Sequence, residues 1–283
     1  CHPPACQARG AVPRYSPETR FSGPSMTPSR QDSIAPEPVA SVPRNAGCAL
    51  DPEWLRAVRV NRAAIDRRVA SLLARRSVKG PHQAAWLCRA VACMDLTTLA
   101  GDDTADRVRR LCAKARQPVR ADLLGALGME GLQVGAVCVY HEMIGPARAA
   151  LDGSGIPVAA VSTGFPAGLS TVHLRLAEIE ASVAAGAQEI DIVISRRHVL
   201  DSNWTALHDE LQQFRAACGP AHMKAILATG ELGDLGQVAR AALVAMMAGA
   251  DFIKTSTGKE RVNATLPAAL TMLWQIAGYH ART

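Results

Sequence analysis

From about residue 90 onward, short runs of β-branched or small apolar residues alternate with longer runs whose apolar residues recur at helical spacing. Side chains alternating between two faces mark the first kind as strands, and a three-to-four-residue period marks the second as helices. The strands predicted are Ala92–Leu96, Val134–Val139, Val158–Ser162, Glu189–Ile194, His222–Leu227 and Asp251–Lys254. The helices predicted are Ala105–Ala115, Met143–Leu151, Val172–Ala185, Trp204–Cys218, Leu235–Ala248 and Leu266–Tyr279. Strands that alternate with helices call for a parallel sheet with right-handed crossovers. Upstream, from Asp51 to about Lys79, Trp54, Leu55, Val58, Ile65, Val69 and Leu72 share one side of a helical pattern. Residues 51–91 therefore read as an N-terminal helical segment, and Asp51 before Pro52 and Glu53 predicts its start.

Both an open doubly wound sheet and a closed (β/α)8 barrel fit that alternation, and the strand faces separate them. In Glu189-Ile-Asp-Ile-Val-Ile194 the isoleucines take one face, while Glu189, Asp191 and Val193 take the other. Lys224 lies opposite Met223, Asp95 opposite Met94 and Leu96, Cys138 opposite Val137 and Val139, and Lys254 opposite Ile253. One face is aliphatic and can pack helices, while the other carries titratable groups on several strands. Those groups can share one space only if the faces converge, as they do inside a barrel. The expectation is an α/β chain of the TIM (β/α)8-barrel class.

Composition changes the picture at the N-terminus. The first 47 residues hold nine of the 17 prolines and six serines, with almost no apolar periodicity. Proline at that density blocks helices and ladders, so 1–47 reads as a disordered extension and 48–283 as the folded domain. This head has no apolar stretch suited to a signal peptide. Its five arginines against three acids suit a mitochondrial presequence, but its prolines oppose the amphipathic helix that one needs.

Eight cysteines are scattered without a C-x-x-C pair or zinc-like spacing, which reads as reduced thiols and a cytoplasmic location. No apolar run approaches the roughly 18 residues of a membrane span. The formal net charge of +6 suits an anionic partner. Eight basic residues between Arg56 and Lys79 invite a nucleic-acid reading, but no aromatic residues interleave for base stacking, and a solvated helix face is preferred. No nucleic-acid or membrane partner is expected.

Lys254 ends a strand and precedes Thr255-Ser-Thr-Gly-Lys259, at the end of the barrel where active sites sit. In a desolvated pocket near a second cation, for which Lys224 is a candidate, its pKa falls and it can attack a carbonyl. From spacing alone, a lysine that snorkels to solvent fits as well. Asp191, flanked by isoleucines, is costly to bury and can either steer a proton or simply pair with a lysine. Asp95, with Thr97 and Thr98 after it, can line the site or satisfy turn amides, and Cys138 reads as a small buried hydrophobe. Thr255 to Lys259 can form an amide nest with Lys259 reaching a phosphate. The eight histidines form no H-x-x-H pattern, so no metal site and no cofactor are expected.

These residues resemble the deoxyribose-phosphate aldolase family, in its animal form. The segments that carry the likeness are Met94-Asp-Leu-Thr-Thr-Leu99, Gly101-Asp-Asp-Thr104, Ala136-Val-Cys-Val-Tyr140 and Gly164-Phe-Pro-Ala-Gly168. Further on come Glu189-Ile-Asp-Ile-Val193, Lys224 to Leu232, Asp251 to Lys259 and Val262-Asn-Ala-Thr265, collinear from about Gly47 to Tyr279. The resemblance implies a metal-independent class I aldolase on a (β/α)8 barrel that acts on a phosphorylated sugar, 2-deoxy-D-ribose 5-phosphate. It implies Lys254 as the Schiff-base lysine, Asp191 as the relay aspartate, Lys224 and Asp95 as site-lining groups and Cys138 as a pocket cysteine. Thr97 is carried with Asp95 as substrate-binding, and Gly258 and Lys259 match part of the phosphate site. The family continues with two further βα units, one bearing a Lys-Pro-Ala-Gly-Gly stretch and one a Gly-Ala-Ser phosphate loop, whereas Thr283 ends this sequence after about six. The expectation is therefore a barrel truncated at its C-terminus, with exposed edge strands that leave homo-oligomerisation open. An inactive fragment that acts only through protein contacts is the rival reading.

Overall fold

The small and β-branched residues of the six predicted strands pair side by side, with every neighbour parallel. The computed structural model describes residues 43–75 and 78–283. Its strands are β1 (Asp95–Thr97), β2 (Ala136–Val139), β3 (Val158–Ser162), β4 (Glu189–Val193), β5 (His222–Ile226) and β6 (Phe252–Lys254). They form one sheet in the order β1-β2-β3-β4-β5-β6. A doubly wound sheet reverses its order at a switch point. This sheet never does, so it is the wall of a barrel-type fold with its helices on one side.

Those helices are α1 (Pro52–Ala57), α2 (Arg62–Leu73), α3 (Pro81–Ala92), α4 (Ala105–Arg116), α5 (Ala121–Leu127) and α6 (Ile144–Leu151). They continue with α7 (Val172–Ala184), α8 (Arg196–Leu200), α9 (Trp204–Ala217), α10 (Leu235–Met247) and α11 (Leu266–His280). The main core lies between the outer strand faces and the helices, with Val137, Val139, Ile190, Ile192, Met223 and Ala225 meeting Val108, Ile144, Ile179, Phe214 and Leu243. Nine of the 13 residues of α10 are buried, including every residue from Ala241 to Met247, because α9, α11 and β6 all pack on it.

Several boundaries differ from the sequence reading. The single helical pattern after Asp51 is two helices, because the Asn61 side chain accepts from Ala64 N at 3.0 Å and caps a new start at Arg62. Strand β1 begins at Asp95 rather than Ala92, since Cys93 N still donates to Arg89 O and keeps that stretch in α3. The short helices α5 and α8 have no counterpart in the prediction. The basic segment packs through α2 onto α11, and Trp54 stacks on Tyr279 with ring centroids 6.1 Å apart.

Of the head expected to be disordered, residues 1–42 lie outside the described residues. Residues 43–47 are described and tied to the domain. Asn45 N donates to Asp251 Oδ1 at 2.7 Å, and its side-chain amide donates to the carbonyls of Met246 and Ala250. Gly47 has φ +69, and a Cβ there would fall 2.6 Å from Met247 O, so only glycine fits this close pass. Among the described residues, no helix is long and apolar enough to cross a membrane.

At the C-terminal strand ends, Thr163 holds a positive φ of 66, an uncommon conformation for a β-branched residue. Its hydroxyl compensates by accepting from Val193 N at 2.7 Å and donating to Val193 O at 3.1 Å, which extends the β3–β4 ladder one step. That end of the sheet carries the chemistry.

Candidate active site

Parallel pairing sets register partners side by side on the same face of the sheet. Glu189 lies beside His222, Asp191 beside Lys224, Lys224 beside Phe252 and Ile226 beside Lys254. The charged residues of β4, β5 and β6 therefore form adjacent rungs on the face opposite the isoleucine-packed core. Lys254 is two residues beyond Phe252, one rung closer to the C-terminal ends. Toward β2 and β3 the same face turns apolar, with Cys138, Ala159 and Val161 packed against Leu99, Tyr140 and Phe165.

Two lysines and three carboxylates meet there. Lys254 Nζ donates to Asp191 Oδ2, and the Cys138 thiol approaches the same oxygen at 3.8 Å. Lys224 Nζ donates to Asp95 Oδ2 at 2.6 Å and forms an ion pair with Glu189. It stands 4.0 Å from Asp191 Oδ1 and 5.5 Å from the centroid of the Phe252 ring. The Asp191 side chain is fully buried, while that of Lys254 is 31% exposed. Asp191 Oδ1 is buried and has no hydrogen-bond partner among the described residues.

Burial works against both ammonium groups, yet both are held above the ordinary lysine value. For Lys224 the carboxylates of Asp191, Glu189 and Asp95 outweigh burial by a wide margin. For Lys254 burial is likewise outweighed, chiefly by Asp191. Lys224 does push the Lys254 pKa down, as its charge requires, but the net direction expected from the sequence is corrected, because Asp191 outweighs both Lys224 and burial. Lys224 spends its charge on Asp95 and Glu189, while Asp191 sits directly on Lys254. Burial and the Asp191 charge push the Cys138 thiol well above its usual range despite both lysines, so it stays protonated. Burial also raises the Glu189 carboxyl, only partly offset by Lys224.

Of the sequence candidates, Lys254, Asp191, Lys224, Asp95 and Cys138 come together in this cluster. Thr97 does not join it, because its exposed hydroxyl donates to Asp95 O at 3.1 Å. Gly258 and Lys259 lie in the loop after β6, where Lys259 Nζ donates to Leu99 O at 3.1 Å. The amides expected to form an anion nest do converge, but on the chain's own Glu260. Thr257 N donates to both its carboxylate oxygens, at 2.9 and 3.0 Å, and Gly258 N donates at 3.1 Å. Glu189 was not singled out as a site residue, although it shares a strand face with Asp191. Its two-residue spacing from Asp191 was the available signal. Among the described residues, no group of three or more His, Cys, Asp or Glu side chains is arranged to hold a metal ion.

The profile of the DeoC/LacD family aldolases matches residues 89–282. The chain is 56% identical over 241 residues to the deoxyribose-phosphate aldolase of Mus musculus, which spans 84% of this chain and 76% of that protein. It is 53% identical over 243 residues to the deoxyribose-phosphate aldolase of Homo sapiens, with the same coverage of each. A solved aldolase structure superposes with a TM-score of 0.57 at 25% identity, covering 66% of this chain and 77% of that one.

Proposed function

The chain belongs to the DeoC/LacD family of aldolases, and on that premise we propose that it is a lyase that cleaves 2-deoxy-D-ribose 5-phosphate through a Schiff base on Lys254. The products are D-glyceraldehyde 3-phosphate and acetaldehyde. The observation that carries the reaction is the 53–56% identity to animal deoxyribose-phosphate aldolases over 84% of the chain. The pairing of Lys254 with a fully buried carboxylate at the open end of the strands supports the assignment of roles.

In this reading Lys254 passes its proton to Asp191 and attacks C1 of the open-chain sugar as a neutral amine. Asp191 returns that proton to the carbinolamine hydroxyl, which leaves as water and gives an iminium ion, with Asp191 ionised again. The carbonyl carbon is C1, so C2 is the α-carbon and the C3 hydroxyl is β to it. The C2–C3 bond is therefore the one whose electrons the iminium can accept. Asp191 takes the C3 hydroxyl proton as that bond breaks and D-glyceraldehyde 3-phosphate leaves. The enamine left on Lys254 takes a proton at C2, and water hydrolyses the resulting iminium to acetaldehyde and free lysine. The proton taken at C3 is returned at C2, so no cofactor is required.

Lys224 acts in this scheme as a fixed cation. Held charged by three carboxylates, it keeps Asp95, Glu189 and Asp191 oriented around the reacting groups and is a poor nucleophile itself. Cys138, protonated and buried, packs beside the imine position without attacking it. The six cysteines among the described residues are free thiols, which fits a reducing compartment, and the cytoplasm is the location we assign.

The test is reductive trapping. Incubation with deoxyribose 5-phosphate and borohydride should give a mass adduct on a peptide containing Lys254, and Lys254→Ala should give none. An adduct of equal yield in Lys254→Ala, or no adduct where the mouse enzyme is trapped in parallel, would sink the proposal.

A further inference from the structure

The loop after β6 contains an anion-binding element already occupied by an anion. The amides of Thr257 and Gly258 point at one place, and the positive φ of Gly258, +83, belongs to the turn that carries them. What fills the place is the carboxylate of Glu260, held by three bonds of 2.9 to 3.1 Å. Thr257 and Gly258 are three and four positions beyond Lys254, so their amides lie within about 14 Å of the Lys254 backbone, at the same end of the sheet.

The backbone around this place is pinned on both sides. Thr229 N donates to Thr255 O at 2.7 Å on one side. On the other, Gly230 is pressed so closely on Val262 that any side chain at 230 would collide with the Val262 carbonyl. Lys259 Nζ ties the loop to Leu99 as well. The Glu260 side chain can leave by rotation about its own bonds, and its departure frees the Thr257 and Gly258 amides next to Lys259. Thr229 next to them keeps a buried hydroxyl that has no partner among the described residues.

We propose that Glu260 is an internal competitor of the substrate phosphate, which must displace its carboxylate from the Thr257 and Gly258 amides. This makes Glu260 a specificity-determining residue, setting how strongly a phosphorylated sugar is preferred over an unphosphorylated one. The inference rests on the proposed aldolase reaction for its substrate. A site that is free only a fraction of the time binds more weakly by that fraction. If the carboxylate holds the amides nine-tenths of the time, the penalty is about tenfold, or about 1.4 kcal/mol.

The experiment compares wild type, Glu260→Ala and Glu260→Asp on deoxyribose 5-phosphate and on 2-deoxyribose. Inorganic phosphate is also titrated into each protein by calorimetry at fixed ionic strength. Glu260→Ala should tighten inorganic phosphate and raise the ratio of kcat/KM for the phosphorylated over the unphosphorylated sugar, each by about tenfold. Glu260→Asp keeps the charge but is one methylene shorter, and should move most of the way toward Glu260→Ala. Aspartate that behaves like wild type would mean charge repulsion alone and overturn the inference. So would phosphate binding that is absent, unchanged or weaker in Glu260→Ala, since Glu260 would then merely organise the loop. Wild type that binds phosphate but cleaves neither sugar would count against the proposed reaction, and the calorimetric comparison would still decide this inference.

Discussion

Replacing Lys224 with methionine removes the cation between Asp95 and Glu189 while keeping most of its volume. The Lys224 side chain is 5% exposed, Glu189 2% and Asp95 26%, so the variant leaves one carboxylate deeply buried and another partly buried with no counter-charge. Removing one partner of a buried pair costs about 3–5 kcal/mol. Here the lower end applies, because water reaches a quarter of Asp95 and Glu189 can escape by taking a proton. The expected loss at pH 8 is about 3 kcal/mol, which at a urea slope of about 3 kcal/mol/M lowers the midpoint by about 1 M.

The pH dependence gives the sharper test. In wild type the Lys224 contribution, from a lysine raised above its ordinary value, is fully present below pH 10.5 and is lost only as pH rises through the raised value. It is therefore constant between pH 5 and 8. In the variant the Glu189 carboxyl, already raised by burial, also loses the ammonium that was lowering it. An acid raised on folding penalises the folded state above its raised value and ceases to do so below its ordinary 4.5. The variant should thus regain stability on acidification. Urea unfolding at pH 5 and pH 8 measures this as a difference in midpoint between variant and wild type that narrows at pH 5. A gap equal at both values, or one below about 1 kcal/mol at pH 8, would show that Lys224 does not neutralise Glu189 and Asp95.

Two further substitutions probe the cluster and the fold. Asp191→Asn should cut turnover by about 10²–10⁴, the usual worth of a placed proton carrier, while slowing imine trapping far less. It should also bring the alkaline rise of trapping to lower pH, since the carboxylate that holds Lys254 protonated is gone and burial then dominates. A pH profile superimposable on wild type would contradict that assignment. Gly47→Ala should cost about 2–3 kcal/mol, because it combines a strained positive φ with a Cβ 2.6 Å from Met247 O. At this chain size the loss lowers Tm by about 5–10 °C in a thermal melt, and a shift under about 2 °C would show that the close pass relaxes freely.

Much of the architecture was legible in the amino-acid order because its signals are local. The two-residue alternation in Glu189-Ile-Asp-Ile-Val193 marks both the buried aliphatic face and the face that carries charge, whatever the neighbours are. Boundaries were less legible where a single polar side chain decides them, as Asn61 does by capping α2 and splitting one apolar stripe into two helices. Asn45 was hidden in a proline-rich context, since its hydrogen bonds run to residues more than 200 positions away.

By itself the sequence determined the α/β class, the strand and helix order, the family likeness and the face on which Lys254, Asp191, Lys224, Asp95 and Cys138 would be found. Only the tertiary structure decided who pairs with whom. The β4–β5 register sets Lys224 beside Asp191, yet the reach of each side chain gives Lys224 to Asp95 and Glu189 and gives Asp191 to Lys254. That partition reverses the expected net direction for Lys254, because the buried Asp191 carboxylate outweighs the lowering that Lys224 still exerts. It also brings in Glu189, and the fold of the next loop sets Glu260 on the amides of Thr257 and Gly258. Periodicity assigns a residue to a face, but electrostatic pairing falls off over a few ångströms. The stagger between strands and the rotamers on them therefore decide what charge each group experiences.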